Sequence, residues 1–276
     1  TGVQTCALPI SASDGRCTPD ELVERASHAG VRVLGVTDHD TIAGLAEARA
    51  AAKGRDIDVV SGIEVTAVEA GRDIHLLGYF LNPDDAHLAV FLAQQRAQRI
   101  ARVEALGVRL AELGMPIDIA PLLAQARQQG GRSVGRPQIA RAMIAAGYVA
   151  DTREAFEQWL ATERPAFVPR TGAPPGDVIG IVHAAGGLVS LAHPGQTNVD
   201  ARITAYAGAG LDAIEVYHPD HDANAVERYR HMAEQLKLLV SGGSDFHGDA
   251  DHGGEPGAVA LPMEDWIRLR NAAVHG

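Results

Sequence analysis

Residues 18–40 read TPDELVERASHAGVRVLGVTDHD, a helix running into a strand that ends on four polar residues. Thr18 suits an N-cap, Pro19 the first helical position and Glu21 the far side of a capping box, while Gly30 stops the helix. VRVLGV (31–36) is a short β-branched run of the kind buried on both faces of a parallel sheet. Thr37-Asp38-His39-Asp40 then stands where that strand gives way to a loop. A second helix is expected from about Ile42 to Lys53, ended by Gly54.

The unit recurs along the chain. DIDVVSGIEVT (56–66) predicts a strand ending near Glu64, DIHLLGYF (73–80) a strand around His75, and GLVSLAHPG (187–195) a strand ending at His193. LDAIEVYHP (211–219) and LKLLVSGGSDFHG (236–248) continue the series. Short apolar strands alternating with helices imply parallel βαβ units, and this many in one chain suggest a barrel or barrel-like sheet. Between residues 84 and 170 the rhythm changes to an Ala-, Gln- and Arg-rich helical periodicity, expected to be an inserted helical subdomain. Its loops QQGGRSVGRP (128–137) and RTGAPPG (170–176) have the Gly, Pro and Arg content of segments near a site mouth.

Composition narrows the classes. A chain of 276 residues, 46% of them hydrophobic, can build one main domain with room for an insertion. No apolar run approaches the ~18 residues of a membrane span, and no basic start with an apolar stretch marks a signal peptide, so a cytoplasmic protein is expected. Cys6 and Cys17 form no metal or disulfide framework, and reduced thiols are expected. A net charge of -11 argues against a general nucleic-acid coat. The charge is uneven: Phe91 to Arg141 holds eight arginines against Glu104, Glu112 and Asp118, so this stretch is +5 and the remainder -16. Most of those arginines are expected on a solvated helical face.

Seven side chains of metal-ligand type sit where strands give way to loops: Asp14, His39, Glu64, His75, His193, Asp245 and His247. In a parallel barrel the carboxyl ends of the strands converge on one face, so such residues can meet around one cavity. The other histidines share no such context, except that His218 and His221 are candidates for substrate contact. Mixed imidazole and carboxylate donors without thiolates suit Zn²⁺, Mn²⁺ or Fe²⁺. Seven donors exceed one tetrahedral ion, and a carboxylate such as Glu64 could bridge two ions about 3.5 to 4 Å apart, the spacing that clamps a phosphoryl centre.

TDHD, GIEVT, DIHLLGY, AHPG and GSDFHG, in this order, resemble the metal motifs of the PHP (polymerase and histidinol phosphatase) superfamily of phosphoesterases. The likeness runs from Ser11 to roughly Pro262. GRPQIARAM with PAFVP is similar to the branch holding nucleoside 3',5'-bisphosphate phosphatases and 5'-to-3' exoribonucleases. The resemblance implies an α/β fold, a distorted (β/α)7 TIM-like barrel over residues 11–83 and 171–276 with a small helical subdomain over 84–170. It also implies hydrolysis of a phosphate ester by metal-activated water, on a nucleoside 3',5'-bisphosphate or the 5' end of short RNA, with two or three divalent ions. Glu64, His75 and His193 would hold one ion, with Glu64 shared with a neighbour that Asp245 also binds; Asp14, His39 and His247 would hold the third. Arg136 and Arg170 are the expected phosphate contacts, since guanidinium groups fit phosphate oxygens in a bidentate way. No membrane and no obligate protein partner are expected.

Two departures from the family pattern stand out. The family's remaining ligands come from an N-terminal strand D-L-H-x-H-S, and aligned on Asp14 its histidines fall on Ala7 and Pro9, which offer no donor. Residues 1–10 match no strand, helix or targeting pattern and are expected to be foreign to the rest. Gln138 stands where the branch commonly has histidine. Three alternatives follow: a degenerate regulatory metal-binding module, a small-molecule phosphatase of the histidinol-phosphate type, or a barrel amidohydrolase. The last commonly needs a metal-bridging lysine, and Lys53 and Lys237 are poorly placed for that.

Overall fold

The computed structural model describes residues 2–4, 11–128, 132–248 and 254–275. A seven-stranded sheet runs in chain order from β1 (Gly2–Gln4) through β2 (Val31–Val36), β3 (Asp58–Glu69), β4 (Arg72–Tyr79), β5 (Leu188–Leu191) and β6 (Ala213–Tyr217) to β7 (Leu239–Gly242). α1 (Pro19–His28) and α2 (Leu45–Ala51) flank β2. α1 is capped as its sequence predicts: Thr18 Oγ1 accepts from Glu21 N at 3.3 Å, and Glu21 Oε2 accepts from Thr18 N at 2.8 Å. α2 is shorter than expected, because Ile42 to Gly44 form a turn and Gly44 has no side chain to cap the first N–H groups.

The strands are not all parallel. β1, β2 and β3 are parallel neighbours, and so are β5, β6 and β7, but β4 runs antiparallel to both β3 and β5. The cause is local: Ala70 and Gly71, at φ 50° and 76°, form the two-residue turn with left-handed backbone that joins antiparallel strands. The reversal leaves His75 useful, because the amino-terminal part of an antiparallel strand lies at the same sheet edge as the carboxyl ends of its parallel neighbours. Thr66 pairs with His75, two residues past Glu64 on β3. Glu64 therefore lies inside a twelve-residue strand and not at its end. At this edge β2 and β3 approach closely; a Cβ on Gly62 would stand 2.8 Å from Val36 O. Residues 1–10 were expected to hold no strand, yet Gly2–Gln4 pairs with β2, since ladder hydrogen bonds join backbones whatever their side chains.

After β4 comes α3 (Ala86–Glu112), then α4 (Ala120–Arg127), α5 (Arg136–Ala145) and α6 (Thr152–Glu154), which runs on as a π-helical turn over Ala155–Leu160. These helices share a hydrophobic cluster of their own, centred on Val103, Leu106, Leu110, Ile139, Met143 and Leu160, all fully buried. A separate cluster packs β3 to β6 against α7 (Pro175–Ala184), α9 (Asp200–Gly208) and α10 (Ala223–Leu236). α8 (Pro194–Thr197) follows β5, and α11 (Met263–His275) closes the chain against β1 and β7. Among the described residues no helix is long and apolar enough to cross a membrane. Cys17 is a buried free thiol; Cys6 lies outside the described residues.

Candidate metal centre

One cavity of about 300 Å³ is lined by all seven candidate ligands together with Arg136 and Arg170. Asp14 comes from the loop before α1, His39 from the end of β2, Glu64 and His75 from the β3–β4 hairpin, His193 from the end of β5, and Asp245 and His247 from the loop after β7. A parallel bridge joins His39 to Glu64. His193 and Asp245 sit in left-handed backbone at φ 26° and 45°, and so does Asp40 at 52°. Such positions cost about 1–3 kcal/mol each and persist where surrounding structure imposes them.

Glu64 is the centre of the arrangement. Its Oε1 lies 2.7 Å from His75 Nδ1, 3.4 Å from His193 Nε2 and 3.8 Å from His39 Nδ1, with only 1% of the residue exposed. On the other side, Asp14 Oδ2 lies 3.6 Å from His39 Nε2 and Asp14 Oδ1 3.8 Å from His247 Nε2. Asp245 Oδ1 is 3.9 Å from His247 Nδ1. Asp14, His39 and His247 offer three donor atoms within 4.8 Å of one another, and His39, Glu64 and His75 do the same. The donor set fits divalent ions: oxygens and imidazole nitrogens converge, and the buried His39 Nδ1 and His193 Nδ1 have no hydrogen-bond partner among the described residues.

Without ions the cluster is held by proton-sharing. Burial opposes the charge of His193, but the hydrogen bond and charge of Glu64 outweigh it and push that imidazole up to about 9. His247 is likewise lifted to about 9 against burial, by Asp245 and Asp14. Burial opposes ionisation of Glu64, yet the charges of His39 and His75 hold it well below the usual carboxylate range. These imidazolium groups stabilise the metal-free fold fully below about pH 6.5, and that contribution is lost as pH rises through 9. Ions must displace the same protons. Affinity for Mn²⁺ therefore climbs by at least about tenfold per pH unit between 7 and 9, and binding at pH 7 releases protons. Titration calorimetry in buffers of differing ionisation heat reads both, and an affinity independent of pH would count against these ligands.

The arginine wall was only half legible. Arg136 and Arg170 are joined by Arg99 and Arg102, which the charge pattern did not single out from arginines expected mostly on a solvated face; both side chains are about nine-tenths buried in the cavity. Two carboxylates organise the four. Asp40 Oδ2 accepts from Arg99 Nε at 2.5 Å and Arg170 Nη2 at 2.7 Å, and Asp73 Oδ2 accepts from Arg136 Nη2 at 3.0 Å and Arg102 Nη1 at 3.3 Å. Asp40 stays ionised despite burial because those guanidinium charges hold it far below its ordinary value. Arg109 and Arg127 do lie on the exposed face. A helical period cannot show which side of α3 meets β3, and so hid Arg99 and Arg102.

His218 and His221 do not line the cavity. His218 Nε2 lies 3.4 Å from Asp245 Oδ2, behind a candidate ligand, and His221 Nε2 accepts from Gly195 N at 3.2 Å. Lys53 and Lys237 are also absent from its walls; Lys237 caps α10. Gln138 Oε1 accepts from Gly135 N at 2.9 Å and its Nε2 donates to Ser13 O at 2.8 Å, so it braces α5 against the Asp14 loop. Ala7 and Pro9 lie outside the described residues.

The family model of the PHP domain matches residues 8–116. The chain is 32% identical to a 3',5'-nucleoside bisphosphate phosphatase of Chromobacterium violaceum over 252 residues, covering 89% of this chain and 87% of that one. It is 35% identical to a 5'-3' exoribonuclease of Haemophilus influenzae over 246 residues, covering 86% and 87%. A solved structure from Bifidobacterium adolescentis, titled a metal-dependent phosphoesterase, superposes with a TM-score of 0.85 at 30% identity, covering 97% of this chain and 94% of that one.

Proposed function

The chain belongs to the PHP family of phosphoesterases, and from that premise we propose that it hydrolyses a phosphate ester on a nucleoside 3',5'-bisphosphate or on the 5' end of short RNA. The observation that carries this reading is the single cavity in which seven metal-type donors face four guanidinium groups. The architecture that goes with it is a distorted (β/α)7 barrel over residues 11–83 and 171–276, with 84–170 as an inserted helical subdomain. Asp14, His39, Glu64, His75, His193, Asp245 and His247 would hold two or three divalent ions of the Mn²⁺, Zn²⁺ or Fe²⁺ type. When bound, such ions supply Lewis-acid polarisation of the phosphoryl group and an activated water.

The chain's own side chains do the rest. Arg136 and Arg170 grip the non-bridging phosphate oxygens, and Arg99 and Arg102 add charge behind them. Asp40 and Asp73 hold these guanidinium groups apart and aimed, so that little reorganisation is needed when an anion arrives. Val103, Leu106 and Phe156 give the cavity an apolar wall on the helical side. A local cationic wall lets an acidic protein take a phosphorylated substrate. A cytoplasmic enzyme without membrane or obligate protein partner accords with this reading.

Product analysis with Mn²⁺ tests it. Nucleoside 3',5'-bisphosphate releases inorganic phosphate, or 5'-phosphorylated oligoribonucleotide releases mononucleotides; release of neither from a metal-loaded protein would sink the proposal. Replacing Arg136 by alanine raises KM for either substrate about tenfold with kcat changed less, because a phosphate-gripping contact is lost. A fall in kcat alone would show that Arg136 does not hold the bound phosphate.

A further inference from the structure

A second cavity, of about 410 Å³, adjoins the first. Val134 lines both; of the adjacent pair Ser13 and Asp14, Ser13 lines the second cavity and Asp14 the first. Its volume falls in the range of small-ligand sites, roughly 300–1,000 Å³. Its walls differ in kind from those of the metal cavity. Pro121 and Leu122 of α4 provide apolar surface, Gln125 an amide edge, and Arg132 and Arg141 positive charge. Arg141 is anchored beside the metal loop, its Nη2 donating to Asp14 O at 2.9 Å. Ser133 is 3% exposed and forms part of the same wall.

We infer that this cavity seats the nucleotide next to the one whose phosphate lies in the metal cavity, which makes a 5'-phosphorylated oligoribonucleotide a better ligand than a nucleoside 3',5'-bisphosphate. The inference rests on the proposed phosphoesterase function. The physical reason is continuity. A substrate whose terminal phosphate meets the arginine wall and whose chain continues must leave through adjoining space. An apolar surface for a base face, an amide for its edge and cations for the phosphate that joins the two nucleotides are the groups that recognise a nucleotide. A nucleoside 3',5'-bisphosphate carries the same two phosphates but no second nucleoside, so it leaves the apolar surface and the amide unused.

Calorimetric titration of metal-free protein in chelator, where no turnover consumes the ligand, tests this directly. A 5'-phosphorylated diribonucleotide binds about tenfold more tightly than a nucleoside 3',5'-bisphosphate, as expected of one added base contact. Leu122→Trp, which fills the cavity, and Gln125→Ala, which removes the amide edge, erase most of that difference and leave the bisphosphate affinity unchanged. Equal affinities in the parent protein, no binding of either ligand, or variants that weaken both ligands alike would overturn the inference. If metal-loaded protein hydrolyses neither substrate while the affinity difference stands, the proposed reaction fails and the second cavity remains a nucleotide site.

Discussion

Glu64→Gln lowers Mn²⁺-dependent phosphate-ester hydrolysis by about 10³-fold or more, the largest loss expected from any single substitution in this chain. One oxygen of Glu64 faces three imidazoles at 2.7, 3.4 and 3.8 Å, so this side chain joins ligands from β2, β4 and β5. Glutamine keeps the volume and removes the charge. Its amide also brings a donor towards His75 Nδ1, where only an acceptor or an ion is useful. Two readouts separate loss of ion binding from loss of fold: metal content after dialysis falls, while circular dichroism of the metal-free variant stays that of the parent. The lifted titration of His193 also drops, because Glu64 is its main support. Activity within tenfold of the parent would remove Glu64 from the centre of the site.

Restoring the family's N-terminal motif has the second-largest effect, in the opposite direction. The variant T5D/C6L/A7H/P9H/I10S writes D-L-H-L-H-S over residues 5–10 and raises Mn²⁺-dependent hydrolysis at least about 100-fold. Loss of mere supporting contacts around a metal typically costs 10–100-fold, and two direct ligands exceed that. The alanine methyl and the proline ring carry no side-chain donor, so an ion held by Glu64 and Asp245 would lack the two imidazoles that the family pattern supplies. Those positions lie outside the described residues, and the expectation comes from the sequence pattern alone. Metal analysis accompanies the assay. Unchanged metal content and unchanged rates would favour a regulatory metal-binding module; full occupancy with turnover in the unaltered chain would refute the need for the motif.

Much of the site was legible because strand-to-loop transitions leave marks at short range. TDHD, AHPG and GSDFHG each follow an apolar run, and His39, His193, Asp245 and His247 do sit at or just past the ends of β2, β5 and β7. Glu64 and His75 were found for a partly mistaken reason. Both lie within strands, and they reach the same edge because a two-residue turn folds β4 back along β3. A tight turn at Ala70-Gly71 was there to be read, but a regular βαβ rhythm obscured it.

Side-chain chemistry and period, which act over a few residues, determined the helix at Thr18, the alternation of strands and helices, the helical segment and the types of the seven donors. Tertiary structure decided what depends on contacts between distant segments. Packing of α3 against β3 buried Arg99 and Arg102 with Asp40 and Asp73, and the loop before α1 met α5 beside a second cavity. Whether an arginine lies in solvent or in the wall of a cavity is set by what another element places opposite it, and no local pattern encodes that. The same holds for β1, where a free sheet edge gave strand form to a segment whose own residues did not ask for it.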